Sequence, residues 1–465
     1  MTSDDRFERL LTEVLVDVAP TREPDRLVPE ILRAARRERR RPRWLALIKE
    51  PPMRVHSRVA VGSPMARVAS LLLLTLLMAV LATGAVVTGA SLLPGTTIVV
   101  AQDGSGTVST ITDAVAMADD GDTVLIKPGT YHESVVITED ITLRGDGEPG
   151  TVVLEFADTD EARWPVDLAP TYLETELVTY GIALDDSDAH LDNITVRGRY
   201  IAAPGEIPIG AVVIDGGAPV IDKVDVVLDA EPYFDGGWNS RSAFQITGGS
   251  NPVIRGSSWD GFTRIVGPTA STPTFEGNTI TAQRISVWAG GPVTMRKNTL
   301  LDGATVLLGD SGGIIEGNDI VGWISAGDDT IIRHNTIRGG GEPTDGRPGS
   351  AIAIAGSGTA IIEDNEIIDS PFGIDIWGSA TPRISDNVIR GSTTTAILVD
   401  RGTAPTINGN IIEANGTGID VRIGAAPVLK DNEFCDNETD LKVPSDSTLT
   451  LEGNTVCEAE ASTEP

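Results

Sequence analysis

The chain has 465 residues, of which 67 are acidic and 36 are basic, and its net charge is −31. Hydrophobic residues make up 40% of the sequence, which is enough for a substantial core and excludes wholesale disorder. Aromatic residues make up only 4%, whereas glycine (50 residues) and proline (28 residues) are frequent. We therefore expect many turns and short strands rather than long packed helices.

The charge is divided unevenly along the chain. Residues 1–67 carry a net charge of +5, and residues 68–465 carry a net charge of −36. A surface this acidic repels phosphate backbones, so the large part of the chain is not expected to bind nucleic acid. Cations, or a neutral or cation-bridged polymer, are more suitable partners for it.

An uncharged segment separates the two parts. Residues 68–93 form a run of 26 apolar or small residues, which is long enough to cross a hydrocarbon core of ~30 Å. Arginines precede this run, and the first charge after it is Asp103. The positive-inside rule therefore predicts a single transmembrane helix at residues 67–93, with residues 1–66 in the cytoplasm and the acidic part outside. A buried core helix and a cleaved signal peptide ending near Ala90 are the alternatives.

The predicted cytoplasmic segment is basic and helical. Apolar residues between Phe7 and Val18 recur at i, i+3, i+4 spacing, which is typical of an amphipathic helix. A second such stretch, residues 27–35, leads into a run of arginines at residues 36–43. This run either sets the membrane topology or binds anionic lipid headgroups, and the sequence leaves both interpretations open.

From residue 97 the pattern changes to short strands. The turn AQDGSG is followed by a predicted helix at residues 110–118 with the pattern T-I-x-x-A-V, and then by the strand turn IKPGTYHE. These three features resemble the N-terminal cap of right-handed parallel β-helix proteins, especially pectin methylesterases and related surface proteins. The resemblance implies that a β-helix begins here.

A repeated turn dominates the rest of the sequence. A small or polar residue, an asparagine, one further residue and an apolar residue recur nine times, with spacings of 20, 20, 17, 30, 22, 23, 22 and 22. The asparagines are Asn278, Asn298, Asn318, Asn335, Asn365, Asn387, Asn410, Asn432 and Asn454. A period near 22 with strand-length apolar runs predicts a solenoid, and the asparagines are expected to hydrogen-bond along its axis. The longest spacing contains a predicted loop at residues 339–350.

The predicted fold is therefore all-β. We expect a right-handed parallel β-helix of about a dozen coils at residues 97–457, following the helical cytoplasmic segment and the transmembrane helix. Less regular coils are expected near Asn193, Lys223 and Ser257. Residues 458–465 are predicted to be a disordered acidic tail, and the protein is expected to be a monomer.

The two cysteines obey the repeat. Cys435 and Cys457 each lie three residues after a ladder asparagine, in successive coils. Neighbouring parallel strands lie about 4.8 Å apart, which is within the range that a disulfide needs. A disulfide is therefore predicted, with free thiols as the alternative, and an oxidising exterior would permit the bond.

Counting back twelve and ten residues from each ladder asparagine gives two columns of side chains. In the strand before Asn387, the apolar Ile374 and Ile376 are expected to point inward, so Asp375 and Trp377 point outward. The same counting places the following further residues on this outer face: Ser286, Trp288, Val306, Leu308, Trp323, Ser325, Ala353, Ala355, Leu398, Asp400, Asp420 and Arg422.

These columns contain the candidate site, because polysaccharide lies on this outer face in proteins that resemble this fold. The candidate substrate-binding residues are Trp288, Trp323 and Trp377. The candidate catalytic residues are Asp375, Asp400, Asp420 and Arg422. Indole rings stack on the C–H faces of sugars, and two nearby carboxylates can act as acid and base. Carboxylates also bind Ca²⁺, which is the one cofactor that the sequence suggests. A solvated acidic edge without a site is the alternative.

The catalytic signatures of known β-helix enzymes are absent. The sequence lacks the motifs of pectin methylesterases, pectate lyases and alginate epimerases, and only Asp328-Asp329 matches a polygalacturonase-like motif. The acidic part has the histidines His132, His190 and His334, without a His-x-His or His-x3-His pair, so no zinc or copper site is predicted.

A second group of aromatic residues lies in residues 155–245, where the coil period is broken. Its members are Trp164, Tyr172, Tyr180, Tyr200, Tyr233, Phe234 and Trp238. Long loops on a rigid scaffold often carry function, but these residues can equally pack over the side of the helix.

The sequence leaves three functional hypotheses. The first is a membrane-anchored cell-surface protein that binds polysaccharide through the outer tryptophans and aspartates. The second is a polysaccharide lyase or glycoside hydrolase acting on acidic glycans. The third is a structural surface scaffold.

Overall fold

The computed structural model describes residues 95–457 with the exception of 158–161, 168–174, 200–208, 230–240, 268, 282–283, 288–290, 341–348 and 446. The predicted cytoplasmic segment, transmembrane helix and acidic tail lie outside the described residues, and so does most of the predicted loop 339–350. Within the described part, no helix is both long enough and apolar enough to cross a membrane.

The described strands form one sheet of fifteen strands and one of twenty-six, and the pairing divides the larger sheet into two parallel faces, which we call the second and third sheets. The first sheet has fifteen strands: Thr97–Val100, Thr123–Ile126, Thr142–Gly145, His190–Asp192, Val220–Asp222, Val253–Arg255, Thr274–Glu276, Val293–Arg296, Gly313–Glu316, Thr330–Arg333, Ile361–Glu363, Arg383–Ser385, Thr406–Asn408, Val428–Lys430 and Thr450–Glu452. The second sheet contains Gly129–Tyr131, Val152–Ala157, Thr195–Arg199, Asp225–Asp229, Ser258–Asp260, Thr279–Thr281, Thr336–Arg338, Glu366–Ile368, Val388–Arg390, Ile411–Glu413, Glu433–Cys435 and Thr455–Val456. The third sheet contains Val135–Ile137, Thr175–Asp185, Ile209–Asp215, Arg241–Thr247, Phe262–Ile265, Arg284–Val287, Ser350–Ile354, Phe372–Ile376, Thr395–Val399, Thr417–Val421 and Thr439–Lys442.

Five further elements complete the described secondary structure. Strands Thr299–Leu307 and Asp319–Ala326 run through both the second and the third sheets. Arg163–Asp167 pairs antiparallel with Thr175–Asp185. A short 3₁₀ turn spans Gly309–Ser311, and the α-helix of the cap spans Ile111–Met117.

Each coil contributes one short strand to each sheet in turn, which is the predicted parallel β-helix. In one coil, Ile362, Ile367 and Ile374 come from the first, second and third sheets, and all three are fully buried. Burying an isoleucine contributes roughly 1.5–3 kcal/mol, so a stack of coils with several such residues each forms a long core. The interior of a coil is narrow, which explains why aliphatic side chains fill it and aromatic residues are few.

The fifteen strands of the first sheet exceed the dozen coils expected from the sequence. The additional coils precede Asn278, where the asparagine signature is missing. Serine takes the ladder position in one of them, because the Ser257 hydroxyl accepts the backbone N–H of Val224 at 3.0 Å. Coils of this kind share the backbone geometry of the ladder coils but not their residue pattern.

The asparagine ladder is confirmed. The Asn365 side chain donates to Asn387 Oδ1 at 2.9 Å and to the carbonyl of Ile332 at 2.8 Å, and its Oδ1 accepts the backbone N–H of Asn335 at 3.0 Å. Equivalent bonds join every ladder pair from Asn278 to Asn454. The ladder satisfies the buried polar groups of a tight turn between the first and second sheets, and it therefore fixes the register of the coils.

A second, shorter ladder lies at the turn between the second and third sheets. Asn415 donates to Asn437 Oδ1 at 2.9 Å, and Asn415 Oδ1 accepts the backbone N–H of Ser392 at 2.8 Å. The sequence analysis missed this ladder, because two asparagines spaced by 22 residues are not by themselves a repeat.

The cap closes the N-terminal end of the core. Thr110 begins the helix Ile111–Met117, and its hydroxyl accepts the backbone N–H of Asp113. The Glu133 carboxylate accepts the backbone N–H groups of Ile111 and Thr112, both at 2.8 Å. These bonds satisfy donors that the first helical turn leaves unpaired.

The predicted disulfide is also confirmed. Cys435 and Cys457 are joined, and their Cα atoms are 4.9 Å apart on neighbouring strands of the second sheet. The bond links the last two coils.

Part of the irregular region packs over the outside of the third sheet. Trp164 lies edge-to-face against Tyr180 with 6.0 Å between ring centroids. Around them, Val166, Val178 and Val213 form a small hydrophobic cluster separate from the main core. For Trp164 and Tyr180 the packing interpretation therefore holds. The other five aromatic residues of the group lie outside the described residues.

Candidate functional site

The outer face of the third sheet presents two columns of side chains over the last coils. Pairing of the strands places Ala353, Asp375, Leu398, Asp420 and Lys442 in one column, one residue per coil. Because Ile374 and Ile376 point into the core on either side of Asp375, this column lies on the side of the strands away from the core, although its residues up to Asp420 are themselves buried.

The second column lies two residues further along the strands. It contains Trp377, Asp400 and Arg422. Each of these follows directly after a strand residue, and those strand residues, Ile376, Val399 and Val421, are paired with one another on successive strands. Trp377 is 42% exposed, which is unusual for a tryptophan on a well-packed coil.

A cleft of about 730 Å³ opens on this face. The residues that line it are Phe372, Leu398, Asp400, Asp420, Val421, Arg422, Ile423, Lys442, Val443 and Pro444. Apolar surface is part of this lining, because Ile423 is 63% exposed. Trp377 stands one coil before Asp400, so it neighbours a residue of the cleft lining without itself belonging to that lining.

Asp420 organises the charges of the cleft. It is only 4% exposed, and its Oδ2 lies 3.1 Å from an Arg422 nitrogen and 3.1 Å from Lys442 Nζ. Both cations are about half exposed, with side-chain exposures of 48% and 58%. The buried carboxylate thus holds two donor groups over the cleft, where they remain able to contact a ligand.

The three predicted carboxylates do not form a close pair within one column. Asp375 and Asp420 share a column but are separated by Leu398, so their backbones are about 10 Å apart. Asp400 lies in the other column, diagonally about 8 Å from each in backbone position. Asp375 is also only 4% exposed. Catalytic roles for Asp375, Asp400, Asp420 and Arg422 therefore stay predictions, without the close carboxylate pair that first motivated them.

The position of Trp323 differs from the sequence-based expectation. Ser325, not Trp323, pairs into the column of Asp375, so Trp323 lies four positions from the column of Trp377, or about 13 Å along the strand direction. Counting from the asparagine failed here because the coil that ends at Asn335 is only 17 residues long. Val306 and Leu308 are likewise fully buried rather than outward. Trp288 lies outside the described residues.

Lys442 and Pro444 are residues of the cleft that the sequence analysis did not single out. They lie twelve and ten residues before Asn454, so the same counting rule applied to the last coil identifies both. Phe372 and Ile423 carry no comparable signal, because their exposure depends on how the strand ends pack.

Two family models match parts of the sequence. The model described as NosD, a periplasmic copper-binding protein, matches residues 274–463, and the pectinesterase model matches residues 97–171. The first region contains the regular coils, and the second contains the cap. A search among curated proteins finds no match.

Several solved structures are similar to the chain. The GH136 lacto-N-biosidase from Eubacterium ramulus is 14% identical over 78% of this chain and 68% of its own, with a TM-score of 0.42. The periplasmic alginate epimerase AlgG is 14% identical over 72% of this chain and 77% of its own, and its TM-score is also 0.42. Tailspike protein 3 of bacteriophage CBA120 is 10% identical over 78% of this chain and 60% of its own, with a TM-score of 0.45.

The fold and its cap agree with the family that the sequence resembles. The pectinesterase match covers the cap, where the resemblance implied that a β-helix begins, and the parallel sheets follow it. The described part of the chain folds as a right-handed parallel β-helix.

Proposed function

We propose that the β-helix binds polysaccharide in the cleft on the outer face of the third sheet. The observation that carries this proposal is the exposed Trp377 beside a cleft that combines apolar surface with cations held by a buried carboxylate. An indole face stacks on the C–H face of a sugar ring. Arg422, Lys442 and Asp400 offer donors and acceptors for hydroxyl groups beside it.

The charge of the cleft suits a sugar polymer better than a cation. The carboxylates of Asp400 and Asp420 are balanced by Arg422 and Lys442, so the cleft is close to neutral within a strongly acidic chain segment. A neutral polymer can approach such a patch without electrostatic repulsion, and hydrogen bonding then determines its orientation.

Binding is favoured over catalysis by the arrangement of the carboxylates. Asp420 is engaged by two cations, Asp375 is nearly fully buried, and the two are separated by Leu398. The catalytic signatures of known β-helix enzymes are also absent from the sequence.

We further propose that residues 67–93 anchor this domain on the outside of the cell membrane. Support comes from the charge difference across the segment and from the Cys435–Cys457 disulfide, which an oxidising compartment favours. Protease added to intact cells should then digest the β-helix, and the protein should remain with the membrane fraction. Recovery in the soluble fraction, protected from protease, would contradict the anchor.

A glycan-array screen of the full-length protein, followed by titration calorimetry on the best ligand, tests the proposed function. Trp377→Ala is the variant, and Trp323→Ala is its matched control, since Trp323 lies on the same outer face but away from the cleft. The proposal expects binding that is lost in the first variant and kept in the second. New reducing ends produced by the wild type would identify an enzyme instead. Absence of binding to every glycan would contradict the proposal and favour a structural scaffold.

A further inference from the structure

The outer face of the first sheet carries a column of charged residues, one per coil. From Arg144 to Glu363 the strand pairing places these side chains in a single file: Arg144, Asp192, Asp222, Arg255, Glu276, Arg296, Glu316, Arg333 and Glu363. Neighbours of opposite charge form ion pairs, for example Arg296 with Glu316 at 3.2 Å and Arg333 with Glu316 at 3.0 Å. Alternation of charge is thus the rule of this column.

One neighbouring pair in this file breaks the rule. Asp192 and Asp222 lie directly opposite each other on adjacent strands, where like charges are destabilising. Each has an arginine on its other side, at 3.2 Å for Arg144 with Asp192 Oδ2 and 3.2 Å for Arg255 with Asp222 Oδ2. These bonds engage Oδ2 of each carboxylate.

His190 supplies a third donor at the same place. It lies two residues before Asp192 on the same strand, so both side chains project from the same face. Its Nε2 atom is buried and has no hydrogen-bond partner. An unpaired buried polar atom is destabilising, so a ligand that binds the nitrogen would stabilise this position.

The three side chains converge on one point. The ligand atoms of His190, Asp192 and Asp222 all lie within 4.8 Å of one another. An ion at the centre of such a triangle is under about 2.8 Å from each atom, and small side-chain rotations bring these distances to the 2.0–2.2 Å of zinc coordination.

We propose that His190, Asp192 and Asp222 bind one divalent transition-metal ion on the outer face of the first sheet. One imidazole and two carboxylates form a donor set that suits zinc and the neighbouring first-row divalent ions, with water completing the coordination. The ion would sit between the two like charges and would also engage the unpaired Nε2. A single ligand therefore accounts for both irregularities of the column.

This site is separate from the proposed glycan cleft, which lies on the third sheet. It is also outside residues 274–463, the part matched by the NosD model. A histidine-pair pattern does not reveal it, because two of its donors are aspartates and one of these, Asp222, comes from the next coil. The His-x-Asp pattern at residues 190–192 is the signal that the sequence did contain.

Zn²⁺ titration of the full-length protein, stripped with chelator, tests the proposal. The variants are His190→Gln and Asp222→Asn, and the matched controls are His334→Gln and His132→Gln, which alter histidines that lie near one carboxylate each. Calorimetry should find a site that both control variants keep. His190→Gln should weaken it at least about tenfold, as loss of even an outer-shell partner commonly does.

A second readout separates metal binding from a folding defect. Zn²⁺ should shift the imidazole NMR resonance that disappears in His190→Gln, and it should raise the unfolding temperature of the wild type but not of a folded His190→Gln. Equal Zn²⁺ affinity in His190→Gln and His334→Gln, or an unshifted His190 resonance at saturation, would overturn the proposal.

Discussion

The first and third sheets are built by the same coils, but the charged residues on their outer faces are arranged differently. On the first sheet, several charged residues find their partners within their own column, so that Glu316 is bound by both Arg296 and Arg333. On the third sheet, the buried Asp420 binds two cations that also line an open cleft.

This difference shows why one face is the candidate binding surface. Where the column satisfies its own charges, as it does around Glu316, it offers a glycan little that water and its neighbours do not already provide. In the cleft, Arg422 and Lys442 are held in place beside exposed apolar surface, and Trp377 adds an aromatic platform. The scaffold is the same, and the outward residues determine the function.

The largest effect on stability is expected at the asparagine ladder, which fixes the register of the coils that form both outer faces. Asn365→Ala removes the bonds to Asn387 and Ile332 and leaves buried partners unsatisfied, so the free energy of unfolding should fall by about 3 kcal/mol or more. Chemical denaturation measures this. Asn408→Ala changes an asparagine on the outer face of the first sheet and should cost about 0.5 kcal/mol or less. Equal costs would contradict the structural role of the ladder.

The next largest effect concerns glycan affinity at the third sheet. Trp377→Ala should weaken binding by about 2 kcal/mol, or roughly 30-fold, because a few aromatic contacts commonly carry most of the binding energy of a site. Titration calorimetry gives the dissociation constants. Trp323→Ala, about 13 Å away along the strand direction, should leave affinity within about twofold of the wild type. A larger loss for Trp323→Ala than for Trp377→Ala would move the site away from the cleft.

A smaller loss of glycan affinity is expected when the carboxylate that holds the two cations is replaced. Asp420→Asn keeps the size of the side chain but weakens its hold on Arg422 and Lys442, so glycan affinity should fall about tenfold, which corresponds to one charged hydrogen bond. Asp319→Asn, which disturbs an exposed ion pair with Arg338, is the control and should not change affinity. An unaffected Asp420→Asn variant would show that the two cations do not contact the ligand.

The smallest effect is expected at the first sheet and depends on pH. Burial opposes ionisation of Glu316, but hydrogen bonds and charge from Arg333 and Arg296 outweigh it and lower the pKa of this carboxyl. The stabilisation is therefore present above the pKa of the unfolded chain and is lost as the pH falls through the lower pKa of the folded state. The difference in unfolding free energy between wild type and Glu316→Gln should shrink as the pH drops below about 4.3, the ordinary pKa of glutamate. A difference that grows under acid would contradict the ion-pair assignment.

The regular coils could be predicted from the sequence, because the ladder asparagines occupy a turn where only one residue type makes those bonds. The same counting located Asp375, Trp377, Asp400, Asp420 and Arg422 on the outer face. It failed for Trp323, since coil length varies between the third sheet and the next asparagine. The metal-binding cluster was not found, because its like-charged pair becomes visible only once Asp192 and Asp222 are known to be adjacent.

A crystal structure of the protein with the tightest-binding oligosaccharide from the array tests the central claim most directly. The account predicts a sugar ring stacked on Trp377 and hydroxyl groups within hydrogen-bond distance of Arg422 or Lys442. An oligosaccharide bound to the first sheet, or bound at the third sheet without contact to Trp377, would contradict it.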